Sequence, residues 1–236
     1  MHTLSYRQRR GQIQNYFDRT ASETWARLTS DAPVSRIRAT VRAGRDRMRA
    51  ILLATLPDDL TGRRVLDAGC GTGALAVEAA RRGADVVAID IAGSLVDVAR
   101  ERASSGLIDT GKGRVEFLVG DMIDPSLGRF DHIVAMDSLI HYRTPDMVGM
   151  VASLASMADR SVAFTFAPRT PLLTVMHSVG KLFPKSDRAP AIEPVDSNEL
   201  RRQILAHSGL AGWQPQPTTR IDSGFYMSEA MEVSRG

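Results

Sequence analysis

The chain has 236 residues, 43% of them apolar, a formal net charge of +3 and a single cysteine. That is enough apolar material for one full core in an ordinary soluble domain, and no run approaches the roughly 18 apolar residues of a membrane span. One cysteine excludes an internal disulfide and a cysteine metal cluster; Met1 to Arg7 lacks the apolar stretch of an export signal, so a cytoplasmic location is expected.

Residues 1–50 hold eleven arginines against four acids, a local +7 that leaves −4 for the remainder. Helices are predicted over Gln12 to Leu28 and Val34 to Leu56, around the breaker Ser30-Asp31-Ala32-Pro33. Arg36, Arg38, Arg42, Arg45, Arg47 and Arg49 all fall in the second. Two readings of them stay open, a solvated helix face or attraction of an anionic nucleic acid, lipid surface or small molecule.

The main domain is predicted to start near Leu60-Thr61-Gly62, giving an N-terminal helical lid over 1–59 and a second unit over 60–236. Val65-Leu66-Asp67-Ala68-Gly69-Cys70-Gly71-Thr72-Gly73 follows, then Ala74 to Ala80 as a helix. A strand, a tight glycine turn and a helix N-terminus let backbone N–H groups close on a ligand. Gly69-x-Gly71-x-x-Ala74, with Asp90 downstream, also satisfies a dinucleotide pattern. Asp67 separates the two, because a carboxylate where a pyrophosphate would sit repels it, increasingly as water is excluded. The same carboxylate suits a ligand with an amine and a sulfonium, as in S-adenosylmethionine.

Val86 to Asp90, Val115 to Asp121 and Phe130 to Asp137 read as three further strands, each ending in an acid, and Ser161 to Phe166 as a fifth. Strands alternating with helices at this spacing argue an α/β fold with a mostly parallel sheet covered on both faces. Pro168, Pro171, Pro184, Pro190 and Pro194 then punctuate an insertion over about 168–198, with an apolar helix at Leu172 to Leu182, placed to cover the mouth of the site. A helix at Leu200 to His207 and a hairpin of Thr218 to Asp222 with Gly224 to Met231 close the chain.

These motifs resemble those of the class I S-adenosylmethionine-dependent methyltransferases, which implies a Rossmann-like sheet of seven strands with the last antiparallel. The resemblance implies that Asp67, Gly69, Gly71 and Gly73 form the cofactor turn, that Asp90 pairs the ribose hydroxyls with Ile91 on the adenine, and that Asp121, with Met122 beside it, takes the adenine amino group. Met136 is expected beside the methionyl part and Arg42 on its carboxylate. A base-methylating Asn/Asp-Pro-Pro-aromatic tetrapeptide is absent from Asp137-Ser138-Leu139-Ile140-His141-Tyr142, and the only cysteine lies in the glycine turn. Nucleic acid is therefore not the expected acceptor, and no carboxylate cluster suggests a catalytic metal.

Over nearly its full length the chain resembles the magnesium-protoporphyrin O-methyltransferases of bacteriochlorophyll synthesis. The resemblance rests on Asn15-Tyr16-Phe17-Asp18-Arg19-Thr20-Ala21 with Trp25, Ile37-Arg38-x-x-Val41-Arg42-x-Gly44, Ala135 to Tyr142, Gly180-Lys181-Leu182-Phe183-Pro184 with Ser186, and Ser223-Gly224-Phe225-Tyr226. Relatives in oxygenic phototrophs carry a tyrosine where this chain has Thr29, so no role of that tyrosine transfers. The resemblance implies that one propionate of magnesium protoporphyrin IX is esterified and S-adenosylhomocysteine released, with magnesium entering only inside the porphyrin. It also suggests a handoff from the porphyrin-carrying subunit of magnesium chelatase and peripheral association with the photosynthetic membrane. His141 is the first candidate to meet the reacting carboxylate, as hydrogen-bond donor or proton acceptor; Tyr142 and Tyr16 come next. His2, His132, His177 and His207 lack paired ligand spacing and are expected to be structural or solvated, His177 being the one candidate for an axial porphyrin ligand. Two other functions stay open: methylation of another acid or a phenol such as a quinone precursor, and porphyrin handling without chemistry.

Overall fold

The apolar runs assemble into one sheet in a computed structural model, which describes residues 4–18, 36–104, 111–169, 190–224 and 226–235. Its strands are β1 (Arg64–Ala68), β2 (Asp85–Asp90), β3 (Arg114–Val119), β4 (Phe130–Ala135), β5 (Ala158–Phe166), β6 (Trp213–Pro215), β7 (Thr219–Ser223) and β8 (Tyr226–Arg235). Seven places across the sheet run β3-β2-β1-β4-β5-β8-β6, and β7 also pairs with β8. The first five strands are parallel, and β8 runs antiparallel to β5, β6 and β7. The expected last hairpin is present, its turn made at Gly224 with φ of 60°. Eight strands fill seven places because Pro217, which has no N–H to donate, separates β6 from β7 along the outer edge.

Strand order reverses between β1 and β4, whose outer neighbours lie on opposite sides. In an open α/β sheet that reversal leaves a crevice beyond the carboxyl ends of the strands. Two helices precede β1, α1 (Leu4–Tyr16) and α2 (Arg36–Ala54); the rest are α3 (Ala74–Arg81), α4 (Gly93–Ser104), α5 (Thr144–Met157) and α6 (Ser197–Ala206). One face of the sheet buries Leu66, Val87, Ile133 and Phe164 with α5, α6 and residues Tyr6 and Ile13 of α1. The other buries Val65, Val86, Val134 and Ala163 with α3, α4 and residues Met48 and Leu52 of α2. The two leading helices thus pack on opposite faces.

The first helix starts at Leu4, not Gln12. Arginines and Gly11 surround Tyr6 and Ile13, which share a face at a spacing of seven, so the apolar periodicity is faint. The remainder of the predicted first helix, with Trp25 and Thr29, lies outside the described residues, as do the predicted helix Leu172 to Leu182, His177, Gly180 to Pro184 and Phe225. The described ends of the insertion run side by side: the Arg169 N–H donates to the Val195 carbonyl at 2.8 Å and the Val195 N–H to the Ala167 carbonyl at 2.8 Å. The Glu193 N–H donates to the Ile140 carbonyl at 2.9 Å, tying the returning strand to the loop after β4.

α2 seats on β8 at Gly44. A Cβ there would lie 2.6 Å from Cδ1 of Tyr226. Replacing a helical glycine by alanine ordinarily stabilises by about 1 kcal/mol. Here overpacking of about 1–3 kcal/mol outweighs that gain, and Gly44→Ala is expected to lower the midpoint of thermal unfolding.

Candidate active site

The crevice at the β1/β4 reversal holds a cavity of ≈ 280 Å³. Every residue singled out as catalytic or cofactor-binding in the sequence lines it except Gly73 and Tyr16. Gly73 has a φ of 81° and starts α3, with the ring of Phe117 where a Cβ would point, 2.7 Å away. Its role is to turn the chain into the helix. Gly69 and Gly71, with φ of 86° and 53°, do face the cavity.

Asp67 is the penultimate residue of β1 and is 1% exposed. Its Oδ2 accepts from the Ala76 N–H at 3.0 Å. Burial pushes its carboxyl up to about 7, against the pull of that hydrogen bond. Asp90, at the end of β2, accepts from the Gly71 N–H at 2.8 Å and the Ala92 N–H at 2.9 Å, so its carboxylate is braced against the glycine turn. Burial raises its pKa as well. Asp121 follows β3, with Ile91 and Met122 also on the wall.

Asp121 accepts from the Tyr6 hydroxyl at 2.7 Å and pairs with Arg10 at 3.2 Å. Neither residue was anticipated from the sequence. Tyr6, Arg10, Ile13 and Phe17 all line the cavity, and their spacing of four, three and four is the periodic signal that a helix begun at Gln12 conceals. Tyr6 also stacks on Tyr142, ring centroids 5.5 Å apart and planes inclined by 23°. Burial drives both phenols far above their usual range, so they act as hydroxyl donors at neutral pH. Tyr16 meets Phe17 edge-on at 5.2 Å, and is not among the lining residues.

Met136, Asp137, Ser138, His141 and Tyr142 form the wall beyond β4. His141 is buried, and its Nδ1 lies 3.2 Å from the Ala191 carbonyl. A carbonyl only accepts, so Nδ1 carries the proton. Burial lowers the imidazole pKa, which leaves a neutral ring with Nε2 as an acceptor. From α2 come Arg42, Arg45, Asp46 and Arg49. Part of the arginine stripe therefore serves the cavity, while Arg47 reaches Ser223 at 2.6 Å. His132 is buried against Ser161 at 2.8 Å and His207 accepts from the Gly209 N–H, so both are structural. Among the described residues no three His, Cys, Asp or Glu side chains converge as a metal site, and no helix is long and apolar enough to cross a membrane.

A family model described as "Magnesium-protoporphyrin IX methyltransferase C-terminus" matches residues 135–235, and one described as "Methyltransferase domain" matches residues 65–160. The magnesium-protoporphyrin O-methyltransferase of Rhodobacter capsulatus is 49% identical over 228 residues, 96% of this chain and 97% of that one. The crystal structure of magnesium protoporphyrin IX methyltransferase from Synechocystis with bound S-adenosylhomocysteine superposes with a TM-score of 0.78 at 31% identity, covering 96% of this chain and 99% of that one. A ubiquinone biosynthesis O-methyltransferase from Bordetella avium is 29% identical over 187 residues, 75% of this chain and 76% of that protein.

Asp67 has a folded pKa of about 7 against an ordinary 3.8. Between those values the folded chain holds a proton that the unfolded chain has released, so this group's contribution to stability is lost as pH rises through the window. Asp67→Asn removes that loss. Urea unfolding is expected to show the variant gaining on the wild type from about pH 4.5 to about pH 7.5, by up to about 4 kcal/mol.

Proposed function

The chain belongs to the magnesium-protoporphyrin IX O-methyltransferase family, and from that premise we propose how its residues divide the work. It is an S-adenosylmethionine-dependent enzyme that esterifies a propionate of magnesium protoporphyrin IX in bacteriochlorophyll synthesis. The observation that carries the assignment of roles is that three strand-end carboxylates, Asp67, Asp90 and Asp121, converge on one cavity whose lining also includes His141.

The donor and acceptor set fits the cofactor. A buried carboxylate behind the glycine turn matches an ammonium and repels a pyrophosphate. Asp67 holds the amino group, Asp90 the ribose hydroxyls and Asp121 the adenine amino group, with Ile91 and Met122 on the ring faces. Gly69 and Gly71 allow close backbone approach, Met136 lies along the methionyl chain, and Arg42 pairs its carboxylate. When bound, the cofactor supplies an electrophilic methyl: the C–S bond breaks with its electrons going to sulfur as a propionate oxygen forms the C–O bond. The propionate is already ionised, so the protein needs no strong base. Its task is to align and desolvate an anion.

His141 performs the alignment. Its neutral Nε2 accepts, so it meets a carboxylate oxygen by taking up one proton as the anion docks, and the adjacent negative charge offsets the effect of burial on the ring. Tyr142 donates from the neighbouring position. Residues 1–59 act as a lid and the insertion at about 168–198 as the cover over the macrocycle, consistent with α1 and α2 reaching the cavity from opposite faces. The porphyrin-carrying subunit of magnesium chelatase delivers the substrate, with the chain peripheral to the photosynthetic membrane; the basic N-terminal segment suits both contacts.

Incubating the protein with labelled S-adenosylmethionine and magnesium protoporphyrin, then weighing the products, is expected to show one added methyl, with metal-free protoporphyrin run alongside. Methylation of a phenolic quinone precursor instead, or porphyrin binding without turnover, would overturn the assignment. His141→Ala is expected to lower kcat by about 100-fold with cofactor affinity within about twofold, a split read by kinetics and calorimetry; unchanged kcat assigns the ring to packing. Asp90→Ala is expected to weaken S-adenosylhomocysteine binding by about 1–3 kcal/mol.

A further inference from the structure

We propose that Asp137 is a positioning residue for methyl transfer: from a left-handed corner after β4 it pins the loop carrying Met136 and His141 onto α2 and β8. The inference rests on the reading of the cavity as the methyl-transfer site.

Asp137 has a φ of 54°, and among the described residues it is the one non-glycine with positive φ. Aspartate tolerates this region better than most residues, yet glycine enters it without a Cβ penalty. A side chain kept at such a corner is there for what it binds. Its carboxylate receives Arg45 Nη1 from α2 at 2.6 Å and the Tyr226 hydroxyl from β8 at 3.1 and 3.2 Å. Thr165 of β5 donates to it at 3.3 Å, and the Asp137 N–H donates back to Thr165 Oγ1 at 2.7 Å. Three elements, α2, β8 and β5, thus meet at one carboxylate, whose side chain is 7% exposed.

The neighbouring residues fasten the same loop from the other side. The Ser138 hydroxyl donates to the Ala68 carbonyl at 2.9 Å, and Ser138 Cβ occupies the space a Cβ on Gly69 would need. One residue bolts the loop to the glycine turn and the other to α2. Gly44, adjacent to Arg45, lets α2 approach Tyr226 closely enough to close this cluster. His141 follows within the loop, its ring set by the Ala191 carbonyl. In-line displacement is sensitive to placement, a shift of ~1 Å being worth about 100-fold in rate. The cluster therefore acts on the reaction through the residues it holds.

The test measures kcat, S-adenosylhomocysteine affinity and binding stoichiometry for Asp137→Asn, Asp137→Gly, Tyr226→Phe, Arg45→Met and the Asp137→Asn/Arg45→Met pair. Asparagine keeps the left-handed corner and an acceptor but removes the charge; glycine relieves the corner and removes the side chain. Both are expected to lose at least tenfold in kcat per binding site while affinity stays within about threefold. Tyr226→Phe is expected to lose less, and the double variant to be no slower than the worse single one, as for partners in one network. Turnover of Asp137→Asn within twofold of wild type overturns the proposal. So does a loss appearing only as fewer binding sites with unchanged kcat per site, which is what a purely structural residue produces. A wild-type chain that methylates nothing overturns the reaction reading, and this inference with it; that failure is visible before any variant is compared.

Discussion

A carboxyl group buried at the end of β1 is the constraint around which the site is organised. Asp67 has one hydrogen bond from Ala76 and almost no water, so its charged form is costly until a cation arrives. In the glycine turn beside it, a Cβ on Gly69 would collide with Ser138 and one on Gly73 with Phe117. Asp90 reinforces the arrangement, because the N–H that shapes the turn is the one that holds the second acid. In the proposed reading, selectivity for a cationic nucleoside begins in this β1–β2 crevice.

The leading helices then decide what surrounds that crevice. α1 packs with one sheet face and α2 with the other, yet both send side chains over the carboxyl ends of the strands. Arginines that look like an undifferentiated basic stretch are divided by this geometry. Arg10 meets Asp121, Arg45 meets Asp137, and Arg49 meets Asp46 on its own helix. These three arginines are thus engaged locally, and the cavity wall carries a few placed guanidinium groups.

The parallel sheet and its strand-end acids were legible because buried strands announce themselves as apolar runs and each acid interrupts one abruptly. Asp67, Asp90 and Asp121 all reach the cavity for that reason. Tyr6 and Arg10 were not legible, since α1 is mostly polar and its single buried stripe is spread among arginines. Asp137 stood in the quoted motif, but a left-handed aspartate looks like any other aspartate until its backbone is known. Gly73 differs from its two companions in the motif: it packs against Phe117 at the helix start. Pro217 likewise carried its message in plain view, and its effect on the outer strand depended on which strand lay beside it.

That proline has a second consequence. A sheet with bare margins invites another chain to add a strand. One margin here is broken between Trp213–Pro215 and Thr219–Ser223, so no uninterrupted row of N–H and C=O groups is offered. The opposite margin, β3, carries Arg114 and Glu116, with Arg114 tied across to Asp85 at 2.7 Å. Both borders of the sheet thus carry features that discourage the addition of another strand, while its carboxyl ends face the cavity.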